Sequence, residues 1–373
     1  MVANFGKVET IDAVQSKVQG DFFAVTVATK FEKETQNFIV AFNKTEKIMG
    51  LLVVPKAPSY TLPAYAADTT KYEERSQYLE SNGHQLAAIV TVPKGVKDFP
   101  LVVLVHGSGG GDMDETVGPN KPFKDIALGL AMKGIASIRY VKRTVVYPNE
   151  FNGTFTVKEE VVDDAVAAVA MAKTIKGVSQ KNIYLLGHNL GGFLAPQIAS
   201  RASGLNGLIL VAAPARKLTD LIIAQNEYFF DLMKDTSAAA KKQLEEVKAQ
   251  VEHSRLTTLG SLKPDSTVIG LPASYWVNLN AYDAVGAAKK YNKRMLIVQG
   301  GNDFQVFEQD YNLWKAALGQ KKNVSLKLYP TLNHLLSVQT EKGTNAQYQV
   351  PANVSEDLVN DIALWIKGQP LSQ

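Results

Sequence analysis

Covalent acyl transfer requires a nucleophile, a base that takes its proton, an acid that orients the base, and donors for the developing oxyanion. One segment of the chain has the form that presents a nucleophile: Ile183-Tyr184-Leu185-Leu186-Gly187-His188-Asn189-Leu190-Gly191-Gly192-Phe193-Leu194-Ala195. An apolar β-run ends in a Gly-x-Asn-x-Gly-Gly turn, and a helix-forming stretch follows at once. Strand, sharp turn and helix together raise one side chain above a sheet. The raised residue is Asn189, and a carboxamide is not a useful nucleophile. The chain has the frame of a nucleophile elbow without the attacking oxygen.

Of five histidines, only His253 and His334 follow the elbow. His253 ends a charged helical stretch and is expected in solvent. His334 lies in Tyr329-Pro330-Thr331-Leu332-Asn333-His334, a loop directly after a buried-type strand. Open α/β sheets place their sites at such strand ends, so His334 is the expected base. The expected acid is Asp303, delivered by the glycine-rich turn of Leu296-Ile297-Val298-Gln299-Gly300-Gly301-Asn302-Asp303. Asp283 and Asp310 fall on helical segments and fit less well. A third strand runs into His106-Gly107-Ser108-Gly109-Gly110-Gly111-Asp112. Its glycines let the backbone approach a substrate and aim amides at developing charge. The backbone amides of Ser108 and Leu190 are the expected oxyanion donors, with Gly107, Gly109 and His188 on the substrate-binding side. Ser108 itself lacks an elbow's flanking strand and helix. The loop has neither the Lys-Ser/Thr ending of a P-loop nor the spacing of a dinucleotide fingerprint. The dispersed histidines form no His-x-x-x-His pair, so no metal is expected.

These residues need strands whose ends converge. Apolar runs at 101–105, 136–140, 183–186, 208–212, 295–298 and 324–328 alternate with helical patterns at 122–133, 158–175, 190–202, 283–290, 306–318 and 354–367. That alternation predicts an α/β fold: a mainly parallel central sheet with helices on both faces. Asn82-Gly83 between strand-like arms adds an antiparallel hairpin at one edge. The interval 215–282 is too long for a simple connection; with a Lys-, Glu- and Gln-rich helix at 238–254 it is expected to form a helical cap insertion over the strand ends. Residues 1–55 alternate with period two and predict an N-terminal antiparallel β meander of four strands. Residues 56–68 read as a linker, and 69–373 as the α/β domain.

Composition narrows the function classes. The 373 residues, 46% hydrophobic and 20% charged, suit a soluble globular protein. The net charge of +4 comes from 40 basic and 36 acidic residues, interspersed, with no basic block for a nucleic-acid groove. The absence of cysteine excludes disulfides, a thiol nucleophile and thiolate metal sites. No apolar run reaches the roughly 20 residues that span a bilayer. Residues 1–4 lead into strand-like sequence rather than a basic start with an apolar core, so no signal peptide is expected. The compartment stays open: cytoplasmic, or secreted with a signal sequence removed.

The motifs resemble those of bacterial esterases of the α/β-hydrolase superfamily, the group with a small N-terminal β domain. The resemblance rests on Val105-His106-Gly107-Ser108-Gly109, Asp112-Met113-Asp114-Glu115-Thr116-Val117-Gly118-Pro119-Asn120-Lys121-Pro122-Phe123, Arg139-Tyr140-Val141-Lys142-Arg143-Thr144, the elbow, 299–306 and Leu332-Asn333-His334. It extends from about residue 75 to the C-terminus, and the meander is similar to the later part of that group's accessory domain. It implies an α/β-hydrolase fold, no cofactor, and a carboxylesterase acting on small acyl or aryl esters, with Asp303 and His334 as acid and base. Two positions depart from it. The family has Ser where this chain has Asn189, and usually Asp where Val141 stands.

The expected function is a serine-type ester hydrolase, inactivated or strongly impaired at Asn189. Asn tolerates positive φ better than most residues, so a relief of elbow strain on the order of 1 kcal/mol is expected to accompany the loss of the nucleophile. The expected partner is a small-molecule ester. Two other readings stand beside this one: a non-catalytic small-molecule-binding protein, and an Asp-nucleophile hydrolase of dehalogenase or epoxide-hydrolase type carrying an Asp-to-Asn change. The meander has two candidate roles, homodimerisation or covering the site.

Overall fold

A computed structural model of the chain describes residues 5–19, 22–33, 35–55 and 59–372. The opening residues 1–4 and positions 56–58 of the expected linker lie outside them. The chain divides into two units, one ending at Ser59 and one starting at Tyr60.

The first unit is a four-stranded antiparallel meander of β1 (Val8–Gln19), β2 (Phe22–Phe31), β3 (Thr35–Asn43) and β4 (Ile48–Pro55), paired in chain order. Its register sets Val14 against Val27 and Val27 against Phe38, and Phe23 stacks on Phe42 with ring centres 5.0 Å apart. Alternation gives each strand two faces. One set of apolar residues, Ile11, Val14 and Val18 on β1 and Leu51 and Leu52 on β4, is exposed.

The second unit is built on an eight-stranded sheet. Its strands are β5 (Tyr72–Ser81), β6 (His84–Pro93), β7 (Phe99–Val105), β8 (Ala136–Tyr140), β9 (Val178–His188), β10 (Leu205–Val211), β13 (Arg294–Gly300) and β14 (Val324–Tyr329). The order is β14-β13-β10-β9-β7-β8-β6-β5, parallel from β14 to β8 and antiparallel at β6 and β5. The β5–β6 turn carries Asn82 and Gly83 at φ 50° and 81°, the doubly positive pair of a type I′ hairpin. A two-stranded ribbon, β11 (Thr267–Val268) and β12 (Leu271–Pro272), lies in the insertion.

Period two in the central strands divides the core. Leu101, Val103 and Val105 of β7, with Ile183 and Leu185 of β9, pack under α3 (Asp163–Ala172), α4 (Leu190–Arg201) and α9 (Glu308–Leu318). Val102, Leu104, Tyr184 and Leu186 face α1 (Pro122–Met132) and α10 (Glu356–Ile366), and a single-turn α2 (Arg143–Val146) follows β8. Both faces are buried, which is why these strands read as unbroken apolar runs. The expected α/β architecture is present.

Three details differ from the sequence expectations. Residues 60–68 are not a free linker: Tyr60 Oη donates to Asp125 at 2.7 Å, Tyr65 Oη donates to the Val354 carbonyl at 2.8 Å, and Ala66 is fully buried. The helix expected over 158–175 opens with a π-helical turn, Lys158–Val162, before α3. The insertion holds more helix than its charged stretch suggested. Besides α6 (Ala238–Glu252) it contains α5 (Leu218–Met233) and α7 (Ala273–Ala281), and α8 (Ala284–Lys290) returns the chain to the sheet. Both α5 and α6 turn apolar residues inward, Leu221 on the first and Leu244, Val247 and Val251 on the second, but α6 is the more polar overall.

Candidate active site

Four strand ends supply the site. β9 ends at His188, and Asn189 sits between it and α4. The turn is tight because its glycines allow backbone to touch backbone. A Cβ on Gly187 would lie 2.2 Å from the Gly191 carbonyl oxygen, and one on Gly191 would lie 2.3 Å from that of Val105. Any side chain at either place would push β7, β9 and α4 apart. Asn189 adopts φ 49°, ψ −116°, and its backbone bonds Val211 on one side and Phe193 on the other.

These dihedrals lie outside the region from which the strain relief was expected. The left-handed helical region that Asn favours has positive ψ. The observed pair matches the first central position of a type II′ turn, where glycine leads and Asn and Asp follow. Asn189 has the positive φ that was expected but keeps the elbow strained, at a cost on the order of 1–3 kcal/mol.

The loops after β13 and β14 bring acid and base to the same place. Asp303 is fully buried. Its Oδ1 accepts from the Gln305 and Val306 amides at 2.7 and 2.9 Å, and its Oδ2 from Gln299 Nε2 at 3.1 Å. Oδ2 also faces His334 Nδ1 at 2.7 Å. An acceptor-only carboxylate at that distance fixes the proton on Nδ1. His334 Nε2 is then a lone pair, and Asn189 Nδ2 lies 2.9 Å from it. Asn189, Asp303 and His334 stand in one line. His253, in contrast, is exposed at the end of α6. Asp283 caps α8, and Asp310 pairs with Arg216, so neither aspartate is available as the acid.

The loop after β7 lies across the elbow. The Ser108 and Leu190 amides have no acceptor among the described residues, and both residues border Asn189 in a small apolar recess. On either side of Ser108 the amides are engaged: Gly107 N donates to Glu115 Oε1 at 2.7 Å, and Gly109 N to Glu160 Oε1 at 3.0 Å. Gly109 therefore departs from its expected substrate-binding place, since its amide is taken and it does not line the cavity over Asn189. Gly107 and His188 do line that 330 Å³ cavity. His188 Nε2 donates to the His334 carbonyl at 2.9 Å, and Nδ1 lies 3.0 Å from Glu115 Oε2 as a charge contact without a hydrogen bond. It braces His334 rather than offering a free polar group.

Charge is arranged behind this line. Burial opposes the Glu115 carboxylate, but His188 outweighs it and holds the group down to about 2. Burial likewise pulls the His188 imidazole down, and Glu115 reverses that, leaving it raised. His106 has no such counter-charge strong enough; burial lowers it to about 4, so it is neutral at pH 7, with Nε2 donating to the Asp112 carbonyl at 2.8 Å. Lys142 Nζ reaches the Gly107 carbonyl and Glu160 Oε1, both at 2.8 Å, and Tyr275 Oη of α7 donates to Glu160 Oε2 at 2.6 Å. Sequence reasoning missed Glu115, Lys142 and Glu160. Only the position of the first two, inside motifs flanking the glycine loop, could have drawn attention to them. Size alone does not select a site: a 650 Å³ cleft lined by Tyr78, Asp163 and Arg201 contains no histidine and lies at no strand-to-helix elbow.

Comparison with known proteins agrees with this fold. The hydrolase family described as serine aminopeptidase, S33, matches residues 152–341. Esterase EstD of Thermotoga maritima is 36% identical over 351 residues, which cover 94% of this chain and 81% of that protein. Two solved structures share the fold. Est1E from Butyrivibrio proteoclasticus superposes with a TM-score of 0.50 at 18% identity, over 79% of this chain and 99% of its own. A Mycobacterium tuberculosis puromycin-hydrolyzing peptidase does so with a TM-score of 0.51 at 13% identity, over 97% of this chain and 48% of its own. Family match and relative converge: the chain belongs to the serine aminopeptidase S33 family of the α/β-hydrolase superfamily, among its bacterial carboxylesterase-type hydrolases.

Proposed function

We propose that this chain carries the site of a serine-type ester hydrolase for small acyl esters, with turnover abolished or strongly impaired at Asn189. The observation that carries the reading is the 2.9 Å contact of Asn189 Nδ2 with His334 Nε2, in line with the 2.7 Å contact of His334 Nδ1 with Asp303. A serine at 189 would give its proton to Nε2 as its oxygen attacked the ester carbonyl. Ser108 and Leu190 N–H groups would receive the oxyanion, and His334 would pass the proton to the departing alcohol. Water would then release the acyl group by the same route in reverse. Asn189 occupies the base with an amide N–H that has no nucleophile behind it.

An aminopeptidase reading, which the family's description raises, is less well supported. A free α-ammonium needs an unpaired carboxylate. Glu115 in the cavity faces Gly107 N and His188 with its two oxygens, and Glu160 is bound by Gly109 N, Lys142 and Tyr275.

The test is Asn189→Ser, assayed on p-nitrophenyl acetate and treated with a fluorophosphonate. A rise in kcat/KM of at least about 10³-fold is expected, with a phosphonyl adduct on residue 189. No rise and no adduct would leave a non-catalytic ligand-binding protein. Activity on epoxides or haloalkanes after Asn189→Asp would instead reveal an aspartate ancestor. Homodimerisation through the apolar strip of β1 is the further part of this proposal, and sedimentation equilibrium checks it.

A further inference from the structure

We infer that the ester fitted by this site joins an acetyl-sized acyl group to a neutral, polyhydroxylated alcohol such as a sugar; the inference rests on the ester-hydrolase reading above. Two hollows meet at Asn189. His334 lines only the larger one, of 330 Å³. The base must hand its proton to the leaving oxygen, so the alcohol lies on the His334 side and the acyl group on the other.

The acyl side is small and apolar. Its volume is 20 Å³, against roughly 10–15 Å³ needed for one water on the same kind of measure. That is room for a methyl group. Phe193, Pro214, Leu218, Leu221 and Leu279 close it, two of them from α5 and one from α7. The charge at its border, Arg216, is held in a bidentate pair with Asp310, Nη2 donating to Oδ2 at 2.7 Å and Nε to Oδ1 at 3.2 Å. A butyryl chain would have to displace packed side chains.

The alcohol side is larger and lined by neutral hydrogen-bonding groups. Gln305, Asn345 and Gln349 supply amides and Tyr348 a hydroxyl, while the Thr116 hydroxyl is taken by Asp112 Oδ2 at 2.7 Å. Tyr348 is buried, braced by a bond from Gln305 Nε2 at 2.9 Å and stacked with Phe304 at 5.5 Å. Asn345 and Gln349 are exposed at the rim. The carboxylate present, Glu115, is taken by Gly107 N and His188. Nothing there pairs with a charged alcohol, and Val117, Leu335 and the Tyr348 ring give the apolar surface on which the faces of a sugar ring can lie. Several amides around an aromatic hydroxyl suit a ligand with many hydroxyls, which loses affinity steeply when those hydroxyls are absent.

Binding can be measured on the chain as it stands, because Asn189 prevents turnover. Calorimetric titration would compare methyl 6-O-acetylglucoside, methyl 6-O-butyrylglucoside and hexyl acetate. The acetylated sugar is expected to bind at least about tenfold more tightly than either of the others. Gln305→Ala should erase much of its advantage over hexyl acetate, and Leu279→Ala should narrow the gap between acetyl and butyryl. Equal binding of acetyl and butyryl esters, tighter binding of hexyl acetate, or no binding of the acetylated sugar at millimolar concentration overturns the inference. The two readings fail separately. If the binding order holds but Asn189→Ser gains no activity, the catalytic reading falls and the pocket assignment stands. If Asn189→Ser turns over hexyl acetate in preference to the sugar ester, the reverse is true.

Discussion

Asn189 holds an elbow's geometry while presenting a carboxamide, a group without the hydroxyl that the turn is shaped to raise. Its strained φ,ψ pair is imposed by Gly187, Gly191 and the strands beneath, not by its own preference. The His188–Glu115 pair behind it is a second local device. The carboxylate lies 3.0 Å from Nδ1 but off the hydrogen-bond axis, so the two attract as charges. In the folded chain the Glu115 carboxyl is lowered from 4.5 to about 2. A lowered carboxyl contributes stability above its unfolded value, and that contribution disappears as pH falls from 4.5 toward about 2. The stability gap between the native chain and Glu115→Gln, measured by urea unfolding, should therefore be positive at about pH 5.5 and narrower at about pH 3.5. A gap that is constant over that range would mean the carboxylate's charge does not stabilise the fold.

The elements matter through where they end. β7, β9, β13 and β14 deliver the loop glycines, Asn189, Asp303 and His334, and all of these were legible in the sequence as strand-then-turn signals. The bracing was not. Glu160 reaches Gly109 from a π-helical turn, a wider coil that the 3.6-residue period conceals, and Tyr275 comes from α7, within a cap whose length gave no residue-level signal. Lys142 and Glu160, both buried, hold the loop on each side of Ser108. Removing one charge leaves the other buried and alone, which costs about 3–5 kcal/mol. In an Asn189→Ser background, Glu160→Gln should lower kcat by about 10²–10³-fold with little change in KM, because it displaces a donor needed at the oxyanion rather than a binding contact. Tyr275→Phe keeps the ion pair and should cost only about 1–3 kcal/mol of stability. Equal loss of kcat in both variants would assign the effect to general loosening of the cap.

At the scale of the molecule, the two units differ in how much they bury. The sheet of the second unit has a packed layer on each face, with residues such as Leu104, Leu186 and Leu210 at 0% exposure. The meander of the first was equally legible as alternating strands, but alternation says only that a strand has two faces, not what covers them. Phe31 is its one buried apolar side chain among the described residues, while β1 leaves Val14 and Val18 at 63% and 77% exposure. Local stability follows buried apolar contact, and a small sheet whose outer strands are exposed on both faces opens well below the global limit. Native-state hydrogen exchange on dilute protein should show amides of β2 and β3 exchanging at least about 10³-fold faster than those of β7, β9 and β10, a difference of about 4 kcal/mol in opening free energy. Raising the protein concentration separates the two fates of the apolar strip. If a second copy covers it, protection in β1 and β2 rises with concentration by mass action while that of β9 does not change. Protection of the meander equal to that of β9 at every concentration would mean that it opens only with the whole chain, and that the exposed strip of β1 does not govern its stability.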